Sequence, residues 1–438
     1  MDQKTICSLL DTYPTPFYVF EESALKERIR RLRTGLPKWI SLCYAVKANP
    51  FLGRFLTDSV ERFEICSPGE MYICEAQGIP ARKFVLSGVY KDEVSMRYAF
   101  EHGLCEGILT VESVRQFELL QKLAEEYRHP IRVLFRLTSG NQFGLEENEL
   151  IDLLKQCPAG PGGSHAADGP ARDGSAADGS APDGPARDGS AADGSAPDDA
   201  GCRKETLLRT AGIQFFSGTQ RTSLKKHRRE LAMLDDLIDR IRDEACMEVP
   251  ELEYGPGLPA AYFVGEDFDE DAWLEEFSGM LNGMRNRLPI TLELGRGIAA
   301  SCGSLFSRVA DVKCNQSGRY AIMDSGIHHL TYYGQFMAMK HPVCTIWPPR
   351  DPQPDDPEWN LCGALCTIND LLVKQMPFHD LKCGDVLIFR NTGAYSMTEG
   401  ISLFLSRDLP GVVWMKEDGE TQLLRSNEPT WRLNGGQV

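Results

Sequence analysis

Apolar residues recur along the chain in short runs at 42–47, 63–67, 84–88, 107–111, 131–137, 213–217, 252–255 and 290–294. Between most of these runs the apolar positions fall three and four residues apart, at 68–77, 93–102, 113–127 and 223–246, which predicts amphipathic helices. Eight β-type runs separated by helices predict an α/β fold, a (β/α)8 TIM barrel with its chemistry at the C-terminal ends of the strands. After Arg296 the pattern changes. The segments 308–313, 320–323, 385–390, 411–415 and 421–424 are short, strand-like and divided by turns, so a C-terminal all-β domain, sandwich or barrel, is expected. The strand-like 17–20 is expected to join it. The expected division is a segment 1–27 joining the β-domain, a barrel over 28–296, and the β-domain over 297–438.

One stretch belongs to neither pattern. Residues 158–201 contain, from Ala166, a five-residue repeat of Ala, Asp, Gly, Ser, Pro and Arg with almost no large apolar side chain. Such a segment buries too little surface to offset its ordering entropy, so it reads as a disordered insertion in a loop.

Composition narrows the function classes. A length of 438 residues with 42% hydrophobic residues suits two packed domains. The net charge of −16 argues against nucleic acid or an anionic membrane as the main partner. Fourteen cysteines are scattered singly in apolar runs without a CxxC pair, the pattern of buried thiols in a reducing compartment. The N-terminus lacks a basic stretch followed by an apolar one, and no segment reaches the length of a membrane span. A cytoplasmic protein without a metal centre is expected.

The run Tyr44-Ala45-Val46-Lys47-Ala48-Asn49-Pro50 ends the first barrel strand. A lysine there would enter the barrel mouth partly desolvated, which lowers its pKa and makes the amine a nucleophile toward an aldehyde. A solvated lysine at a strand end is the plainer alternative. YAVKANP resembles the cofactor-lysine motif of the fold-type III pyridoxal-phosphate enzymes, the alanine racemases and the ornithine, arginine and diaminopimelate decarboxylases, and the resemblance continues in order along the chain. Glu64 heads a segment, Glu64-Ile65-Cys66-Ser67-Pro68-Gly69-Glu70, similar to the family's second strand. Arg136 and Phe143-Gly144 match its fifth-strand arginine and Lys-Phe-Gly. GIQFFSGTQ at 212–220 resembles GxHxHxGSQ, Gly255-Pro256-Gly257 resembles the phosphate loop, and Glu293-Leu294-Gly295-Arg296 resembles Glu-Pro-Gly-Arg.

The resemblance implies pyridoxal 5′-phosphate on Lys47 as a Schiff base. It also implies Glu293 facing the pyridine nitrogen, and phosphate contacts from Gly255, Gly257, Arg296 and Tyr395 of Gly393-Ala394-Tyr395. Gly363–Asp370, GALCTIND, resembles the decarboxylases' Gly-Pro-x-Cys-(Glu/Asp)-x-x-Asp, whose cysteine crosses a dimer interface to assist protonation. This implies Cys366 as a catalytic residue of a homodimer with shared sites. It also favours decarboxylation over the rivals, an amino-acid racemase or a catalytically silent regulatory homologue.

Four departures matter. Phe216 stands where the family stacks a histidine on the cofactor ring, Gln214 replaces the earlier histidine of the same strand, Leu294 replaces a proline, and Thr367 replaces the carboxylate after the cysteine. That carboxylate helps to hold the distal amine of a dibasic substrate, so the expected substrate is an amino acid that is diaminopimelate-like or diverged, non-dibasic or presented on a carrier protein. His328 and Tyr333, in the segment entering the β-domain, and Thr367 with Asp370 are the expected substrate contacts.

Overall fold

The structure, a computed structural model, describes residues 1–157 and 206–436; the insertion expected at 158–201 lies outside the described residues. A first strand, β1 (Phe17–Glu21), precedes the barrel. The barrel strands are β2 (Ser41–Ala45), β3 (Arg62–Ile65), β4 (Phe84–Leu86), β5 (Ile108–Val111), β6 (Ile131–Leu137), β7 (Leu208–Phe216), β8 (Leu252–Gly255) and β9 (Ile290–Leu294). They pair in sequence order, all parallel, and β9 closes on β2 with Thr291 opposite Ser41. This is the (β/α)8 barrel the periodicity predicts.

The helices start where the sequence offers caps. Ser67, Asp92 and Ser113 each accept the amide three residues on, which satisfies a donor that the first helical turn would leave free. Among the described residues no helix is long and apolar enough to cross a membrane.

The second sheet has nine strands: β1, then β10 (Gly303–Asn315), β11 (Gly318–Met323), β12 (Cys344–Trp347), β13 (Glu358–Cys362), β14 (Leu371–Pro377), β15 (Val386–Arg390), β16 (Gly411–Met415) and β17 (Thr421–Arg425). Strand β1 lies inside it, antiparallel to β10 and parallel to β16. Its side chains alternate. Tyr18 and Phe20 join the main core that extends through the barrel, while Phe17 and Val19 pack with Phe306, Ile388 and Val413 in a smaller core. The sheet reaches the barrel mouth through the turn at 393–395. Asn49 Nδ2 donates to the Gly393 carbonyl at 2.8 Å, and the Tyr395 amide donates to the Ala48 carbonyl at 2.7 Å. Gly393 permits this approach, since a Cβ there would stand 1.9 Å from the Ala299 oxygen. The two residues that follow Lys47 in the motif, Ala48 and Asn49, are thus clamped by the second sheet.

Candidate active site

β2 ends at Ala45 and the chain turns through a single helical turn, Val46–Ala48, that delivers Lys47 to the C-terminal mouth. Its neighbours come from the strands on either side. Glu64 lies opposite Ala45 on β3, and Glu293 opposite Cys43 on β9. Lys47 Nζ stands 2.6 Å from Glu64 Oε2, 3.3 Å from Glu293 Oε1 and 3.5 Å from Cys66 Sγ.

Burial alone would pull the Lys47 amine down, but the charges of Glu64 and Glu293 outweigh it and hold the group above an ordinary lysine. This corrects the expectation of a neutral, desolvated amine: the two flanking carboxylates make it an ammonium until a proton is removed. The carboxylates themselves divide. Burial works against ionised Glu64, yet the Lys47 charge and hydrogen bonds from Glu293 and Lys47 bring it below the ordinary carboxylate range. Glu293 is pushed above that range by burial and then by the negative charge of Glu64. The two carboxylates titrate as a pair, with Glu64 the more readily ionised and Glu293 the less.

A second cluster forms around Arg296, which is buried. Its Nε donates to Thr219 Oγ1 at 3.3 Å and its Nη1 to the Tyr262 hydroxyl at 2.5 Å. The rings of Tyr262, Tyr333 and Tyr395 surround the guanidinium, with centroids at 5.5, 4.9 and 4.6 Å. Among the described residues it has no ion-pair partner. A buried cation without a counter-ion is costly unless an anion completes the site. Beside it the backbone is bare. Gly257 has φ +63°, and a Cβ there would stand 2.1 Å from the Gly218 oxygen, while a Cβ at Gly255 would meet Phe216 Cδ2 at 2.4 Å. Such a cradle suits a phosphate.

Lys47, Phe216, Gly257, Glu293, Arg296, Tyr333 and Tyr395 all line one cavity of about 200 Å³, with Glu64 directly behind Lys47 and Gly255 behind Phe216. Arg136 is not brought to it. That arginine is buried, pairs with Glu112 at 3.2 Å and lies over the Phe143 ring. Two expected substrate contacts do not line this chain's cavity. Asp370 is spent within the loop, accepting the Ile327 and Leu365 amides at 2.8 and 2.7 Å, so it shapes the segment that carries Cys366. His328 is buried against His329, ring centroids 3.7 Å apart, and does not line the cavity. Cys366 is exposed and Thr367 half-buried, and neither lines this chain's own cavity.

Sequence reasoning missed four participants: Thr219, Tyr262, Leu258 and Glu399. Thr219 stands in the quoted SGTQ segment, where its hydroxyl beside a glycine was available as a signal. Tyr262, Leu258 and Glu399 sit in loops without periodicity.

The family model described as pyridoxal-dependent decarboxylase, C-terminal sheet domain, matches residues 17–393. The chain belongs to this family. Its cofactor is pyridoxal phosphate and its reaction class is amino-acid decarboxylation. Curated relatives include diaminopimelate decarboxylase of Zymomonas mobilis, 26% identical and aligned over 95% of this chain and 91% of that one. Another is the L-glutamyl-[BtrI acyl-carrier protein] decarboxylase of Niallia circulans, 24% identical over 97% and 94% of the two chains. Among solved structures, diaminopimelate decarboxylase from Helicobacter pylori complexed with L-lysine matches this fold with a TM-score of 0.77 at 20% identity, covering 98% of this chain and 99% of that one.

Proposed function

We propose that this decarboxylase acts as a cytoplasmic homodimer on an amino acid whose distal end is not a free ammonium, a substrate attached to a carrier protein being the case that fits. The observation that carries the reading is Thr367, a neutral residue at the position where the resemblance places the acidic clamp for a distal amine. A relative named for a carrier-linked glutamyl substrate supports it.

The residues present fit the cofactor. Arg296, Thr219, Gly255, Gly257 and Tyr395 would hold its phosphate, Phe216 would pack on its ring, and Lys47 would bear it covalently. When bound, pyridoxal phosphate supplies an electron sink for the pair left behind by the departing carboxylate. Glu64, 2.6 Å away, holds the Lys47 amine in place at the cavity wall as its counter-ion. Glu293, the less readily ionised of the two carboxyls, lines the cavity where it would face the cofactor ring. Cys366 of the partner subunit would supply a proton to the substrate carbon. Its exposure supports this, as does the neighbouring Ile368, 96% exposed in a single chain and suited to burial by a second copy.

A second reading, a cationic side chain recognised within one chain, has Glu399 in its favour. This carboxylate lines the cavity and has no hydrogen-bond or ion-pair partner of its own among the described residues. Carbon dioxide release from a panel of free dibasic amino acids and side-chain thioesters of glutamate separates the two. Turnover of the thioesters alone supports the first. Turnover of dibasic amino acids, lost in Glu399→Gln, supports the second.

A further inference from the structure

The helix Leu224–Ala245 follows β7, so it begins on the same face of the barrel as Lys47. It opens Leu-Lys-Lys-His-Arg-Arg, with no acid in its first turn. Two local rules are broken there. The helix dipole disfavours cations at its start, and Lys225 and Arg229 are like charges one turn apart. Lys225, Lys226 and Arg229 are all exposed.

The acids that could neutralise them are committed elsewhere. Glu230 accepts from Arg221, Ser217 and Tyr254. Glu276 pairs with Arg228 at 2.9 Å, and at the start of the neighbouring helix Glu270 and Asp271 pair with Arg28 and Arg31. Lys225, Lys226 and Arg229 keep no ion-pair partner among the described residues. In a chain of net charge −16, local rules broken in one direction at one place mark a functional surface. The patch also borders the site: the loop leading into the helix carries Thr219, which lines the cavity, and the Arg221 amide donates to the Gly257 carbonyl at 2.9 Å.

We propose that Lys225, Lys226 and Arg229 dock the acidic face of a carrier protein that delivers the amino acid on its flexible arm. This rests on the carrier-linked reading above. The reaction needs a free α-amine and a free α-carboxylate, so the arm must be joined through the side-chain carboxyl, as a thioester. The α-carboxylate leaves as carbon dioxide, a proton takes its place on the α-carbon, and the thioester bond is untouched. Complementary charge at the rim then governs encounter and salt dependence. A nucleic acid or an anionic membrane would meet the same three cations but also the negative charge of the remaining surface.

The test uses the cofactor-loaded enzyme and the variant Lys225→Glu/Lys226→Glu/Arg229→Glu. Because the substitution agrees with the helix dipole, its melting temperature should equal or exceed that of the natural protein. One probe is an acidic acyl carrier protein bearing a γ-linked glutamyl thioester; the other is the same thioester on pantetheine alone. The variant should raise KM for the carrier substrate at least tenfold at low salt, leave kcat unchanged, and leave the pantetheine substrate unaffected. Equal KM for variant and natural enzyme on the carrier substrate overturns the proposal. If neither thioester is decarboxylated, the substrate reading fails, and calorimetric titration with the loaded carrier still decides the docking surface. Binding that the variant abolishes supports it. No binding, or equal loss of binding to a DNA duplex or to phosphatidylserine vesicles, overturns it.

Discussion

Lys47 and Glu64 form a 2.6 Å ion pair between the ends of adjacent barrel strands, so the buried amine and its counter-ion are neighbours in the sheet. Because Glu64 is held below the ordinary carboxylate range, its contribution to stability is present above that range and is lost as pH falls through its depressed value. Glu64→Gln in the cofactor-free protein should therefore lower the melting temperature by several degrees at pH 7. The gap to the natural protein should close in acid. Parallel melting curves from pH 7 to pH 3 would count against the pair.

Glu293 should show the opposite sign. Its folded-state carboxyl titrates above the ordinary range, so its favourable term is complete in acid and is lost as pH rises through the raised value. Glu293→Gln mimics the protonated form and removes that dependence. The variant should gain on the natural protein in melting temperature as pH rises from the ordinary carboxylate range to about 8, while turnover of the loaded enzyme falls by about 10²-fold or more. Equal slopes in the two titrations would show that Glu293 is ionised throughout.

The glycine cradle predicts an asymmetry between two alanine substitutions. At Gly257 a methyl group would meet backbone, at 2.1 Å, in a left-handed conformation; at Gly255 it would meet the Phe216 side chain, which can turn aside. Gly257→Ala should weaken pyridoxal phosphate binding at least tenfold, measured by fluorescence quenching, and Gly255→Ala should do so less. The reverse order would remove the cradle from the phosphate.

Arg296 should bind an anion even without the cofactor. Inorganic phosphate at millimolar concentration should raise the melting temperature of the cofactor-free protein by mass action. Arg296→Met should abolish the increment, and chloride at matched ionic strength should not reproduce it. A phosphate effect that persists in Arg296→Met would place the anion elsewhere.

The eight barrel strands were legible because each is a short, mostly apolar and mostly buried run between helical periodicities, a pattern that survives without tertiary knowledge. Strands β12, β13 and β14 were not. β12 is half-exposed along its length, and β13 alternates buried and exposed residues over only five positions, so neither presents an apolar run. In the site, motif residues at strand ends fell where the register of a parallel barrel puts them: Lys47, Glu64 and Glu293 meet because β9, β2 and β3 are neighbours. The surroundings of Asp370 and His328 were not legible for a different reason. Both sit in loops, where the side-chain direction is set by partners distant in sequence, the Ile327 and Leu365 amides for one and His329 for the other. The protonation state of Lys47 was missed because it depends on two carboxylates, the nearer 17 residues away and the farther 246.

The last prediction concerns the residue that a single chain leaves outside its own cavity. Cys366 is exposed, on a loop that Asp370 fixes through two backbone hydrogen bonds, so it is held in place where no group of its own site can use it. If it serves the partner subunit, Cys366→Ala should load cofactor normally and lose turnover by about 10²–10⁴-fold, the range of a general acid. Lys47→Ala should be inactive for a separate reason, the loss of the covalent attachment, seen as the absence of a borohydride-reducible chromophore. Mixing the two inactive proteins creates dimers in which one site has both residues and the other has neither. After random exchange about a quarter of the sites are intact, so activity should recover to about a quarter of the natural level. Thr367→Glu in the same loop should then raise turnover of dibasic amino acids, since it restores a charge to the neighbour's substrate pocket. Verified subunit exchange without recovery of activity would mean that Cys366 acts within its own chain or not at all, and the effect of Thr367→Glu would have to be sought there too.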